Sequence, residues 1–246
     1  MSTLSSGDEK RALVRAMFER IAPRYDLMNR LLTAGMDRRW RSRALHALRL
    51  QPGERLLDLA CGTGDLALQA ARAGVHSFGV DFAAPMLHLA AVRATSQQPT
   101  AHSTIAPGAL HWVQGDAERL PLRNAAFDAV CCGFALRNFA SLPAAISEMA
   151  RVLRPGGRIA LLDVDRPRSR VIGAAHSLYF DRIVPIIGGW LSDRRAYRYL
   201  PQSTAYLPPA PELHALLKSR GFADIALRRF LFGTVQLWSA ARGAAP

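Results

Sequence analysis

"LLDLACGTGD", residues 56–65, decides the fold. Four apolar residues and one acid, Asp58, run into Cys61-Gly62-Thr63-Gly64-Asp65. A short apolar run that ends in glycines reads as a buried strand. The helical pattern "DLALQAARAG" follows at once. A strand that breaks into glycines and opens a helix is the nucleotide-facing corner of a βαβ unit. Gly62 and Gly64 let the backbone approach a ligand that any Cβ would repel. The spacing also fits a dinucleotide fingerprint with Ala67 in the third place, so the glycines alone do not choose between a dinucleotide and something smaller.

Outward from this corner, strand and helix patterns alternate. "VHSFGVD" (75–81), "LHWVQGD" (110–116), "FDAVCCGFAL" (127–136) and "GGRIALLDV" (156–164) read as strands. "APMLHLAAVRAT" (84–95) and "SLPAAISEMARVL" (141–153) read as helices. "PELHALLKSRG" (211–221) is a further helix, and "FADIALRRF" and "TVQLWSAA" close the chain as strands. Such alternation predicts an α/β, doubly wound, mostly parallel seven-stranded sheet. The first 50 residues read as a helical extension, with Leu13, Met17 and Ile21 on one stripe and Val14 and Phe18 beside it. The expected organisation is one domain of residues 1–246. It comprises a helical extension (1–50), a cofactor core (55–165), a helical insert after strand 5 (166–210) and a closing helix with strands (211–242).

Composition narrows the function classes. Among 246 residues, 32 are basic and 19 acidic, a net charge of +13. Residues 1–50 carry +6, 51–150 carry −2, 151–200 carry +6 and the remainder +3. The motif half is slightly acidic and its flanks are basic, which suits a surface facing the phosphates of nucleic acid or of anionic lipid. Thirty of the basic residues are arginine. The polar start "MSTLSSGDEKR" reads as no secretory signal, and no apolar run reaches the roughly 18 residues of a membrane span. Cys61, Cys131 and Cys132 have no metal-ligand spacing, so no metal is expected and a reducing compartment is.

Three acids say more than the glycines. Asp58 lies where a pyrophosphate would sit; a carboxylate there repels phosphate and welcomes an ammonium or sulfonium group. Asp81 ends the second strand, 23 residues later, where it can hold ribose hydroxyls. Asp116 ends the third strand in "GDAERLPL", placed for an adenine amino group. Each acid alone reads as a helix cap or turn former. Together they fit an adenosine with a cationic amino-acid tail, which is S-adenosylmethionine.

"YDLMNRLLTAGMDRRWR", "LLDLACGTGDLAL", "VDFAAPML", "GDAERLPL", "FALRNF", "EMARVLRPGGR" and "AYRYL" occur in an order that resembles the ubiquinone/menaquinone biosynthesis C-methyltransferases. The likeness spans about residues 14–230. It implies a class I methyltransferase that uses S-adenosylmethionine and a prenylated quinol. It also implies cofactor contacts from Thr63, Asp81, Asp116, Ala117 and Gly133, and Asp58, Ala60, Gly62, Gly64, Phe82 and Met86 are expected beside them. Departures from the family pattern at Ala135, "LLDVDRP", "STAYLPPAP" and "TVQLWSAAR" touch the substrate side.

Carbon methylation needs an electron-rich ring carbon, so the quinol hydroxyl must lose or share its proton. Arg137 in "LRN", as a permanent cation, is expected to stabilise a phenolate. Tyr25 and Asn138 are expected to orient the hydroxyl or a water. Asp163, Asp165 and His176 are candidate proton acceptors, and Tyr197, Arg198 and Tyr199 candidate pocket walls. "YFDRIVPIIGGWL" (179–191) offers an apolar wall for a prenyl tail. The expected setting is cytoplasmic, peripherally held on the inner face of an anionic membrane, with a homodimer compatible. A methyltransferase of RNA, phospholipid or another small molecule is the alternative. RNA is disfavoured because no aromatic residues interleave a basic stripe, so no nucleic-acid partner is expected.

Overall fold

The computed structural model describes residues 7–96, 106–165, 203 and 206–243. Helices α1 (Asp8–Ile21), α2 (Tyr25–Thr33) and α3 (Met36–Leu48) precede the sheet. Then come β1 (Arg55–Leu59), α4 (Asp65–Arg72), β2 (His76–Asp81), α5 (Ala84–Ser96) and β3 (Leu110–Gln114). The chain continues through β4 (Phe127–Gly133), a 3-10 turn at Leu136–Asn138, α6 (Leu142–Val152) and β5 (Leu153–Val164). Helix α7 (Ala210–Ser219) and strands β6 (Phe222–Phe230) and β7 (Val235–Arg242) complete the described elements.

The seven strands run in the order β3-β2-β1-β4-β5-β7-β6. β1 pairs in parallel with both β2 and β4, so the winding reverses between β1 and β4. That switch point opens a crevice at the carboxyl ends of the strands. β7 alone runs antiparallel, between β5 and β6.

Alternation along the strands makes two cores. Leu57, Leu59, Val130, Cys132, Ile159 and Leu161 face the layer that holds Ile146, Met149, Leu213 and Leu217. Leu56, Ala129, Cys131, Ala160 and Leu162 face Trp40, Ala44, Leu48, Leu66 and Ala70. Strands buried on both faces read as continuous apolar runs, which is why the sequence shows runs here. Each fully buried leucine contributes roughly 1.5–3 kcal/mol. Ser141 caps α6 by accepting from the Ala144 N–H at 3.3 Å, and a proline lies in the first turn.

A third apolar cluster joins α1 to α5 through Val14, Met17, Ile21, Met28, Ala83 and Met86. The stripe of α1 differs from the expected one. Leu13 is 49% exposed, and the buried line is Lys10, Val14, Met17 and Ile21. Most of the insert, residues 166–202, lies outside the described residues, and with it His176, Tyr197, Arg198, Tyr199 and the 179–191 segment.

Candidate active site

A cleft of about 690 Å³, counting its open mouth, sits over the carboxyl ends of β1 to β4. Ala60, Gly62, Asp81, Phe82, Met86, Asp116, Ala117 and Gly133 line it, as do Tyr25 and Asn138. Helix α1 adds Arg11, Val14 and Phe18.

The floor is the loop after β1. Ala60, Gly62 and Gly64 have φ of 53°, 55° and 81°. Left-handed backbone at Ala60 costs about 1–2 kcal/mol, a strain of the kind stored at functional sites. Gly62 is open on its cleft side, with only Tyr25 Cε1 at 3.8 Å from where a Cβ would stand. Its N–H donates to Asp81 Oδ2 at 2.8 Å, and Asp81 Oδ1 accepts from the Ala83 N–H at 2.9 Å. Burial raises the Asp81 pKa, while the backbone donors of Ala83, Gly62 and Phe82 pull it back. Asp81 thus already faces donors at the end of β2.

Asp116 Oδ1 accepts from the Glu118 N–H at 2.9 Å, and Oδ2 pairs with Arg11 Nε at 2.9 Å. A carboxylate has about four acceptor sites, so it retains room for an amino group. Glu118 was not singled out in the sequence. Its Oε1 accepts from the Ala140 and Ser141 N–H groups at 2.6 and 3.0 Å, and its Oε2 accepts from Arg11 Nη2 at 2.9 Å. It ties α1 to the start of α6.

Five expected site residues lie elsewhere. Asp58 is 1% exposed and does not line the cleft. It shares a strand face with Leu56, and its Oδ2 accepts from the Ala67 N–H at 3.0 Å. It therefore caps α4, whose N-cap Gly64 has no side chain to do so. Burial pushes the Asp58 carboxyl up to about 7, against the pull of the Ala67 N–H and Arg41. Thr63 turns its hydroxyl to Asp26 Oδ1 at 2.6 Å. Gly64 packs under Trp112. The Arg137 guanidinium is also outside the lining, bound behind the cleft to Asp163 and to the Phe134 carbonyl at 2.7 Å. With its charge already answered, it is a poor group to meet a phenolate. Asp165 pairs with Arg229 at 3.3 Å and does not reach the cleft either.

Asn138 is placed differently from Arg137. It is among the residues that line the cleft, it is 8% exposed, and its buried Oδ1 has no hydrogen-bond partner. A buried acceptor left unpaired costs about 1–3 kcal/mol, which a donor entering the cleft would recover. Val14, Phe18, Phe134 and Phe139 make much of the remaining wall. The cleft thus joins two strand-end acids, Asp81 and Asp116, an apolar slot and one unpaired amide oxygen. These residues fit an adenosine cofactor and a neighbouring hydroxyl-bearing acceptor.

The sequence profile of the ubiE/COQ5 methyltransferase family matches residues 4–242. The chain belongs to this family. It is 41% identical over 240 residues to "Ubiquinone/menaquinone biosynthesis C-methyltransferase UbiE" of Geobacter sulfurreducens, covering 96% of this chain and 90% of that one. It is 40% identical over 233 residues to "Demethylmenaquinone methyltransferase" of Deinococcus radiodurans, covering 94% and 92%. Among solved structures, magnesium protoporphyrin IX methyltransferase of Synechocystis superposes with a TM-score of 0.66 at 19% identity, covering 95% of this chain and 100% of that one. The fold is that of the class I methyltransferases. The ubiE/COQ5 family member described here is a methyltransferase, and its cofactor is S-adenosylmethionine. No cluster that could hold a metal occurs among the described residues.

Proposed function

We propose that this enzyme methylates a ring carbon of a prenylated quinol, a demethylmenaquinol or a polyprenyl methoxy-benzoquinol. The observation that carries the reading is the buried, unpaired Asn138 Oδ1 in the cleft, beside apolar walls and Tyr25. Support also comes from the names of the two relatives above.

Bound S-adenosylmethionine would supply an electrophilic methyl group to the acceptor ring carbon and leave as S-adenosylhomocysteine, and the ring carbon would then give its proton to solvent. Asp81 accepts from the ribose hydroxyls and keeps the Gly62 N–H in place. Asn138 Oδ1 accepts from the quinol hydroxyl, which draws the O–H bond out and sends electron density onto the adjacent carbon. Tyr25 orients the same ring from the Gly62 side. Phe18, Phe134 and Phe139 exclude water, so that opposite charges meet in a dry site. Arg137 supports Asn138 from behind rather than touching the acceptor. No described helix is long and apolar enough to cross a membrane. The prenyl tail of the acceptor brings the enzyme to a bilayer, where its basic flanks meet anionic lipid.

Purified protein, isotope-labelled S-adenosylmethionine and each reduced lipid acceptor test the proposal, with mass analysis of the product. Label on a ring carbon of either quinol is expected. Label appearing only in RNA or phospholipid, with both quinols untouched, would sink it.

A further inference from the structure

A second recess of about 800 Å³, counting its open mouth, lies where α2, α3, α4 and α5 meet. Arg30, Arg38, Arg41, Arg72 and Arg93 line it around one carboxylate, Asp65. Asp65 is already engaged by Arg93, and Arg41 Nε stands 3.7 Å away. Burial raises the Asp65 carboxyl, but Arg41 and Arg93 outweigh it and hold the pKa below its usual value. Arg93 is served further by Asp26 at 3.0 Å and by the Thr63 carbonyl at 2.9 Å. Among the described residues, neither Arg30 nor Arg38 has a carboxylate at ion-pair distance, and both are exposed. Arg41 is different: it is 7% exposed and its Nε has no hydrogen-bond partner.

Arg41 is answered by Asp37 and Asp65 and Arg93 by Asp26 and Asp65, so Arg30 and Arg38 are the added positive charges here, and an anion between them would offset their repulsion. Their planar forks match phosphate oxygens. The surroundings identify the carrier of that phosphate. Leu27 and Leu31, one turn apart on α2, are 50% and 48% exposed and flank Arg30. Val92, next to Arg93 on α5, is 51% exposed. Exposed apolar side chains beside a basic recess suit the boundary between headgroups and acyl chains. A free anion gains nothing from them.

We propose that this recess binds the phosphate of an anionic phospholipid headgroup, with Leu27 and Leu31 resting in the bilayer boundary. The proposal deepens the membrane reading above and rests on it, but not on which quinol is methylated. It concerns a site apart from the cleft, so lipid binding and methyl transfer are separable.

The test is co-sedimentation at fixed salt with vesicles of phosphatidylglycerol and phosphatidylcholine, and of phosphatidylcholine alone. Wild type is compared with Arg30→Gln/Arg38→Gln and with Lys218→Gln/Arg220→Gln, which removes the same charge from the end of α7. Arg30→Lys/Arg38→Lys keeps the charge and loses the forks. Wild type should prefer the anionic vesicles. The glutamine pair in the recess should lose binding about 30-fold, at about 1 kcal/mol per basic residue. The lysine pair should lose less, and the α7 pair should stay within about twofold of wild type, because α7 packs on the opposite face of the sheet from α3 and α4. Methyl transfer to a short-tailed acceptor in solution, read on the same preparations, should be unchanged in all variants. Equal losses from the two glutamine pairs would mean diffuse attraction and overturn the proposal. So would equal binding of wild type to both vesicles. Saturable calorimetric binding of inorganic phosphate, lost in the recess variant and without vesicle binding, would reassign the recess to a free anion.

Discussion

The Arg137 guanidinium is buried against Asp163, with side chains 6% and 0% exposed, and Asp163 Oδ2 also accepts the Arg137 N–H at 3.2 Å. This pair ties the turn after β4 to β5 and leaves the next residue, Asn138, facing the cleft. A buried pair is poor evidence for net stability, but removing one partner strands the other. Arg137→Ala should therefore destabilise the fold by about 3–5 kcal/mol. Arg137→Met/Asp163→Leu should recover much of that, giving a strong coupling in a double-mutant cycle. Denaturant titration of wild type, Arg137→Met, Asp163→Leu and the double variant measures it. Additive losses would show that the two side chains are independent.

Asp58 should make stability depend on pH in an unusual direction. Its folded pKa of about 7 lies above the unfolded value near 3.8. The folded protein therefore holds the proton more tightly. The stability this contributes is fully present below the unfolded pKa and is lost as pH rises through about 7. The size is on the order of a few kcal/mol. Asp58→Asn keeps an acceptor for the Ala67 N–H and removes the titration. Unfolding free energies from pH 5 to 8 should fall more steeply in wild type than in the variant. Parallel profiles would mean that Asp58 keeps its ordinary carboxylate pKa.

The strands were legible because each is an apolar run broken by glycine or acid, and Asp81 and Asp116 were legible because they end such runs. Period-2 alternation also contained the placement of Asp58. Leu57 and Leu59 face one core and Leu56 the other, so Asp58 faces α3 and α4. A reading that took the acid as part of the ligand loop passed over that alternation. Arg137 and Asn138 could not be separated from sequence, because adjacent residues in a 3-10 turn diverge and the partner Asp163 is 26 residues away. Lys10 was illegible for the same reason. It occupies a buried position on the α1 stripe only because carbonyls 127 and 129 residues distant receive it.

Lys10 should act as the latch of α1. Its Nζ donates to the Arg137 and Phe139 carbonyls at 3.1 and 2.6 Å and stands 3.9 Å from the centre of the Tyr206 ring. Charged hydrogen bonds contribute about 1.5–3 kcal/mol each. Lys10→Met keeps the apolar stem and removes the donors. Amide exchange across residues 8–21 should quicken about 30-fold, equivalent to roughly 2 kcal/mol of local opening. Cofactor dissociation should quicken with it, since Arg11, Val14 and Phe18 move away from the cleft. Exchange in β1 and β4 should not change. If protection is lost uniformly, Lys10 is a global stability residue and not a latch.

Trp112 allows packing and backbone strain to be separated at the glycine loop. A Cβ on Gly79, its partner in the β2–β3 register, would stand 2.5 Å from two ring atoms of Trp112 and 2.9 Å from Cys61 Sγ. A Cβ on Gly64 would stand 2.5 Å from Trp112 Cη2, and Gly64 also has φ +81°. Both Gly79→Ala and Gly64→Ala should cost about 1–3 kcal/mol through overpacking. Trp112→Leu opens the space above both. Measured against Trp112→Leu alone, the Gly79→Ala double variant should recover most of its loss, because the remaining neighbour is a thiol that can turn away. The Gly64→Ala double variant should stay about 1–2 kcal/mol short, the cost of left-handed backbone at a residue with a Cβ. Its cofactor affinity should stay low as well, since the strain acts on the loop that carries Gly62 into the cleft. Denaturant titration and calorimetry on wild type and the five variants read both quantities. Full recovery at Gly64 would show that the ring alone demands glycine there, and no recovery at Gly79 would show that Trp112 is not what excludes a side chain.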